Sequence, residues 1–106
     1  MDEIGVTLVV TMTIRRDFAQ SFRQFEQTAA RIMARYGGAI RHTVVIDGQS
    51  PSETFMEVHI VTFPTTQAFE HYRADAELAQ AAPLRQTSVI HTEILIGTDG
   101  PHYGSS

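Results

Sequence analysis

Residues 39–63, AIRHTVVIDGQSPSETFMEVHIVTF, decide the fold. Two stretches in it, 39–47 and 53–63, alternate apolar and polar side chains as half-buried strands do. Between them Gly48-Gln49-Ser50-Pro51-Ser52 supplies turn chemistry. Asp47-Gly48 and Ser50-Pro51 are turn dipeptides, so the two stretches are predicted to form an antiparallel hairpin.

Upstream, residues 4–14 (IGVTLVVTMTI) carry Val, Ile and Thr in near alternation and read as a further strand. Asp17 with Gln20 three residues on reads as a capping box. Phe18, Phe22, Phe25, Ala29, Ile32, Met33 and Tyr36 then fall on one face of a helix that Gly37-Gly38 stops. Downstream, Phe63-Pro64-Thr65 ends the second arm of the hairpin and opens a short helix with Ala68, Phe69 and Tyr72 inward. A second start at Asp75 runs through Leu78 to Pro83, which predicts a broken helix, and residues 88–97 make a last strand. The order is β-α-β-β-α-β, the ferredoxin-like arrangement of class α+β. Right-handed crossovers place the first and third strands side by side at the centre of a four-stranded antiparallel sheet, with both helices on one face. One domain over residues 1–97 is expected, followed by a loose Gly- and Ser-containing tail over 98–106.

Parity along the strands assigns the two faces. The even-numbered Val6, Leu8, Val10, Met12, Ile40, Val44, Ile46, Met56, Val58, Ile60, Ile90, Ile94 and Ile96 are almost purely aliphatic and are expected under the helices. The odd-numbered set mixes Val9, Val45, Phe55, Val61, Phe63, Val89 and Leu95 with Thr7, Thr11, Thr13, Arg41, Thr43, Glu57, His59, His91 and Glu93. Two Phe and five aliphatics are too many to leave wet. The sheet of a second copy is expected to cover them, giving a homodimer.

The chain has 106 residues, no Cys, no Trp, no Lys and no Asn, and a formal net charge of −4. Without Cys there is no disulfide scaffold, no thiolate nucleophile and no thiolate-held metal. Without Lys there is no internal Schiff base and no P-loop. The eight positive charges are scattered Arg, which argues against a nucleic-acid partner. Neither a membrane span nor a targeting leader is expected, and the reading is a soluble, cytoplasmic protein.

Phe63-Pro64-Thr65 at a helix start, the aromatic pair Phe69 and Tyr72, Asp75-Ala76-Glu77-Leu78, and Ala82-Pro83-Leu84-Arg85 before the last strand resemble the dimeric α+β barrel superfamily. The likeness is in particular to its small bacterial members of unknown function, related to antibiotic-biosynthesis-monooxygenase-like proteins. It implies a ferredoxin-like protomer and a two-fold dimer whose sheets face each other as a barrel. The superfamily includes cofactor-independent monooxygenases, haem-degrading enzymes and lactone isomerases. Monooxygenases and haem degraders there often use Trp and Asn, and this chain has neither.

The hairpin brings together the first candidate site. With its loop centred near Ser50, Arg41 is expected opposite His59 and Thr43 opposite Glu57, all on the face away from the helices. His59 is the candidate general base, Arg41 the group that steadies an anionic oxygen, and Glu57 the residue that orders a partner. The alternative is a polar network within a dimer interface. Tyr72, Arg85, His91 and Glu93 are candidate substrate-binding residues. Tyr72 reads also as core, Arg85 as a helix cap, and His91 with Glu93 as interface. No HxH or HxxxH pair occurs, so neither metal nor cofactor is expected. The Ser residues show no GxSxG elbow. Two function classes stay open. One is a cofactor-independent enzyme, monooxygenase- or isomerase-like, acting on a small carbonyl or aromatic compound. The other is a non-catalytic, small-ligand-binding or stress-associated dimer.

Overall fold

The computed structural model describes residues 5–48 and 52–104. Strand β1 (Val6–Arg15) leads through a single 3-10 turn (Arg16–Phe18) into helix α1 (Ala19–Ala34). Strands β2 (Ala39–Ile46) and β3 (Thr54–Phe63) follow, then three short helices, α2 (Thr66–Arg73), α3 (Ala76–Gln80) and α4 (Ala82–Ser88), and strand β4 (Val89–Gly97). The sheet order is β2-β3-β1-β4 with antiparallel pairing throughout, so the first and third strands are central. This is the ferredoxin-like α+β fold that the pattern predicts. The turn expected over 48–52 falls partly on residues 49–51, and the tail ends at 105–106, both outside the described residues. After β4 no regular element follows through Gly104, although the Thr7 hydroxyl donates to Asp99 Oδ1 at 2.7 Å. No helix among the described residues is long and apolar enough to cross a membrane.

Helix α1 forms for the reason its spacing gives. Phe22, Phe25, Ala29, Ile32 and Met33 are buried on one stripe, each large side chain contributing about 1.5–3 kcal/mol. Gly37 ends it with φ of 76°, a conformation that costs glycine nothing. The helix start differs from expectation. The 3-10 turn over Arg16–Phe18 shifts the N-cap to Phe18, no side chain caps it, and Phe18 is exposed. Thr65 caps α2, its Oγ1 accepting from the Ala68 amide at 2.9 Å, and Asp75 caps α3.

The larger correction concerns which face each strand presents. Antiparallel partners share a face. Val6, Leu8, Val10, Met12 and Ile14 of β1 lie opposite Phe63, Val61, His59, Glu57 and Phe55 of β3. Even positions of β1 therefore share the helix side with odd positions of β3. Phe55, His59, Val61 and Phe63 are buried beneath the helices instead of lying on the open face. Met56, Val58 and Ile60 take the open face, opposite Ile46, Val44 and His42. Alternation fixes facing within a strand, whereas the register set by the connection fixes it between strands. In β2, His59 lies opposite Thr43, not Arg41, because the hairpin register runs one residue later than a loop centred on Ser50 would set it, and beyond that pair a bulge between Ile40 and His42 takes Arg41 out of the ladder. That bulge turns Arg41 outward, where its Nε donates to Thr62 Oγ1 at 2.9 Å.

The core under the helices has two lobes. Val6, Leu8, Met33, Val61, Phe63 and Phe69 pack at one end, with the Phe63 ring 5.4 Å from both Phe69 and Tyr72. Met12, Ile14, Phe22, Phe55 and Val89 pack at the other. Gly38 is needed at the first lobe, since a Cβ there would lie 2.4 Å from the Phe63 ring. Between the lobes the sheet presents Val10, His59 and Glu57, and the packing opens.

Candidate functional site

A cavity of about 360 Å³ lies between the two lobes, floored by the sheet and roofed by the helices. Its walls are mostly apolar: Leu8, Val10, Met33, Val61, Phe69 and Leu78 among them. Six polar side chains reach it, Glu26 from α1, His59 from β3, Tyr72 and Arg73 from α2, Arg85 from α4 and Thr92 from β4. The size suits a small organic molecule, and convergent polar groups in an apolar hollow are the usual character of a binding or active site.

His59 is 4% exposed. Its Nε2 lies 2.8 Å from Glu57 Oε1, two residues along the same strand and hence on the same face. Glu57 does not line the cavity; it stands behind the ring. The Glu57 carboxylate oxygen accepts a hydrogen bond from Nε2–H, which leaves Nδ1 as the nitrogen with a free lone pair. Nδ1 makes no hydrogen bond, yet among the described residues no buried side-chain nitrogen or oxygen lacks a partner. Nδ1 therefore borders open space. It lies 3.6 Å from Glu26 Oε2, just beyond hydrogen-bond reach.

Glu26 is the residue that sequence reasoning missed. Burial raises its pKa above the ordinary carboxylate value, His59 draws it down, Glu57 pushes it further up and Arg85 draws it down. A carboxylate lifted in this way can hold or release a proton closer to neutrality than an exposed one. The signal was present in the helix pattern. Glu26 stands four residues after Phe22 and three before Ala29, on the buried stripe where a charge has no ordinary reason to be.

Tyr72 and Arg85, two of the candidates from the second half of the chain, line the cavity. Burial, then the nearby Glu26, push the Tyr72 phenol far above its usual range, so it stays protonated and can donate. Arg85 bonds Thr92 Oγ1 through Nη2 and has no ion pair with a carboxylate among the described residues. A half-buried guanidinium in an apolar hollow with donors to spare is a receiver for an anionic oxygen. Arg73 is directed outward, stacked over Phe69 at 5.3 Å and 3.4 Å from Glu70.

The other candidates do not join the site. Arg41 is exposed on the open face, away from His59. His91 and Glu93 lie opposite Thr13 and Thr11 of β1, on that same open face, and are exposed. Thus His59, Glu57, Tyr72 and Arg85 gather at one place, while Arg41, His91 and Glu93 do not. Among the described residues no group of three or more His, Cys, Asp or Glu is arranged to hold a metal ion.

No protein-family model and no curated protein matches the sequence. Solved structures do match in shape. A protein of unknown function from Rhodopseudomonas palustris superposes with a TM-score of 0.79 at 16% identity, over 94% of this chain and 85% of that one. SnoaB from Streptomyces nogalater, described as a cofactor-independent oxygenase, gives 0.68 at 16% identity over 96% and 99%. A dimeric protein of unknown function and ferredoxin-like fold from Bacteroides fragilis gives 0.63 at 16% identity over 90% and 96%. The fold is therefore shared with ferredoxin-like proteins of both kinds that the resemblance over residues 63–85 names, those without an assigned activity and an oxygenase.

Proposed function

We propose that this chain is a cofactor-independent enzyme that removes a proton from a small carbonyl or phenolic compound bound between helices and sheet. One observation carries the reading: a buried imidazole, clamped at Nε2 by Glu57, borders with its other nitrogen a cavity that also holds an Arg free of carboxylate partners. His59 is the group that comes to hold the substrate proton. Glu57 fixes the tautomer that makes Nδ1 basic and stabilises the imidazolium that forms. Loss of the substrate proton puts negative charge on the carbonyl or phenol oxygen, and Arg85 and the Tyr72 hydroxyl are placed to stabilise it. The apolar walls accept an aromatic or alicyclic body and keep the forming anion away from bulk water.

This chemistry is the first step both of an oxygenation that uses no cofactor and of an isomerisation. SnoaB, a fold neighbour described as a cofactor-independent oxygenase, supports the former, and nothing in the sequence favours it over the latter. The open face of the sheet suits a second copy. Val9, Val44, Ile46, Met56, Val58, Ile60 and Leu95 share it, with Val44, Ile46 and Leu95 more than 40% exposed. A stable dimer buries about 800 Å² on each partner, an area that one face of a four-stranded sheet provides. The fold neighbour described as dimeric supports this arrangement.

Anthrone is a suitable probe, being an aromatic ketone with an acidic C–H that fits the cavity volume. Wild-type protein under nitrogen is expected to accelerate hydrogen–deuterium exchange at its methylene carbon, followed by NMR. His59→Ala is expected to lose about 10²-fold or more of that acceleration while remaining folded. Binding of anthrone without any acceleration of exchange would overturn the enzymatic reading and favour the small-ligand-binding one.

A further inference from the structure

Three features of the molecule stand apart from the residues assigned roles above: the apolar open face, the ion-pair network at the end of α1, and Glu26. The first belongs to the dimer already proposed and the second holds surface helices together. Glu26 is a buried, ionisable group for which neither role accounts.

We propose that Glu26 and His59 form a one-proton relay, in which the proton leaving the substrate is taken by the Glu26 carboxylate and passed to His59 Nδ1. The inference rests on the reading of the cavity as a proton-abstraction site and assigns a second acid–base group to it. Glu26 Oε2 and His59 Nδ1 are 3.6 Å apart and both face the cavity, while Glu57 holds the opposite edge of the ring at 2.8 Å. One bridging water or a small rotation of the Glu26 carboxylate closes that gap. Two carboxylates around one imidazole carry the same net charge whether the proton sits on Glu26 or on Nδ1. Neither position therefore demands a new counter-charge from the surrounding protein.

The charged and titratable groups facing Glu26 are His59 and Glu57 from β3, Tyr72 from α2 and Arg85 from α4. Arg73 of α2 reaches the cavity edge. In the forward step the substrate C–H bond breaks and its proton goes to Glu26. The electron pair moves into the carbonyl to give an enolate oxygen facing Arg85. The proton then moves to Nδ1, and the imidazolium is held through Nε2–H by Glu57. Reversal returns a proton to the same carbon in exchange, or to another carbon in isomerisation. No oxidant is needed for either. The burial that lifts Glu26 toward neutrality makes its carboxylate a more competent base than a solvated one.

NMR of protein carrying 13C-labelled Glu and 15N-labelled His tests the relay apart from any turnover. The Glu26 carboxyl carbon and the His59 ring nitrogens are expected to respond together over one pH interval, in two steps shared by the pair. In Glu26→Gln the ring nitrogens are expected to follow a single step. A Glu26 carbon that follows its own step while the ring nitrogens stay still would overturn the relay, whatever anthrone does. Exchange of anthrone supplies the second arm. Glu26→Gln is expected to lower it about 10²-fold, and Glu26→Asp to restore part of the loss with the acid limb of the pH profile retained. A Glu26→Gln variant within twofold of wild type, beside an inactive His59→Ala, would leave His59 as sole base and overturn the relay alone. A wild type that accelerates nothing would count against the proton-abstraction reading, with the relay then decided by the NMR arm.

Discussion

The two faces of the sheet each carry an exception to the usual allocation of polarity. The face covered by helices holds an imidazole and one carboxylate, His59 and Glu57, in the middle of its run of side chains, with the Glu26 carboxylate of α1 and a guanidinium above them. The face without helices holds Val, Ile, Leu and Met among Thr, with Arg41, His42, His91 and Glu93 toward the edge strands. An ordinary half-covered antiparallel sheet places apolar side chains under the helices and charges outside. Charge retained under cover at a desolvation cost points to chemistry there, and hydrophobe left bare points to a partner. On the reading proposed above, the same four strands serve proton abstraction on one side and assembly on the other.

Two adjacent residues of β3 test this division most severely. Val61→Arg would bury an unpaired guanidinium against Leu8 and Phe63, and unfolding by urea is expected to show a loss of more than about 4 kcal/mol. Ile60→Arg, one position along and on the open face, is expected to leave the protomer folded and convert the proposed dimer to a monomer in sedimentation at micromolar concentration. Equal effects from the two variants would break the assignment of faces.

Next in size is the pH dependence of Glu26→Gln. Burial raises the folded-state pKa of Glu26 above its unfolded value, so the folded protein binds the proton more tightly. Stability from this group is then lost as pH rises from the unfolded toward the folded value, and the full penalty applies above the latter. Glu26→Gln removes that penalty. It is expected to raise the urea midpoint relative to wild type at pH 8, with the gain fading by pH 3. A constant difference across that range would mean that Glu26 is not desolvated.

The smallest effect is expected at a place that belongs to neither face. Thr65→Ala removes the cap of α2 and is expected to cost about 1 kcal/mol in the same unfolding measurement. Dimer and cavity should be unchanged. A change in oligomeric state would show that the faces are not independent of the helix layer.

Much of the fold was legible because periodicity is a local property. The Phe22–Met33 stripe, the Gly37 stop and the Thr65 cap can each be read within a few residues. The central position of β1 and β3 followed from the handedness of crossovers. Facing was not legible in β2 and β3, since Leu8 meeting Val61 depends on a register that no single strand encodes. The one-residue bulge near Arg41 left no mark in the pattern either. The site was half legible for the same reason. His59 and Glu57 are two apart on one strand and had to share a face, and Tyr72 and Arg85 lay in the recognisable segment. Arg41 was lost to the hairpin register and to the bulge beyond it. Glu26 could have been found by asking why a charge occupies the apolar stripe of α1.

The broken helix above the cavity has a consequence for how a molecule reaches it. Helix α1 runs for 16 residues, but the remainder of the roof is cut into pieces of 8, 5 and 7. Pieces of that length do not persist in water by themselves. The middle piece is tethered at its edge by Tyr36 to Asp75 at 2.6 Å and by Arg31 and Arg35 to Glu77. Those tethers are exposed ion pairs and one hydrogen bond, which water can replace at small cost. The roof can therefore loosen one segment at a time while the sheet below stays whole, and α3, which brings Leu78 and Ala79 to the cavity, is the wall least firmly held around any guest.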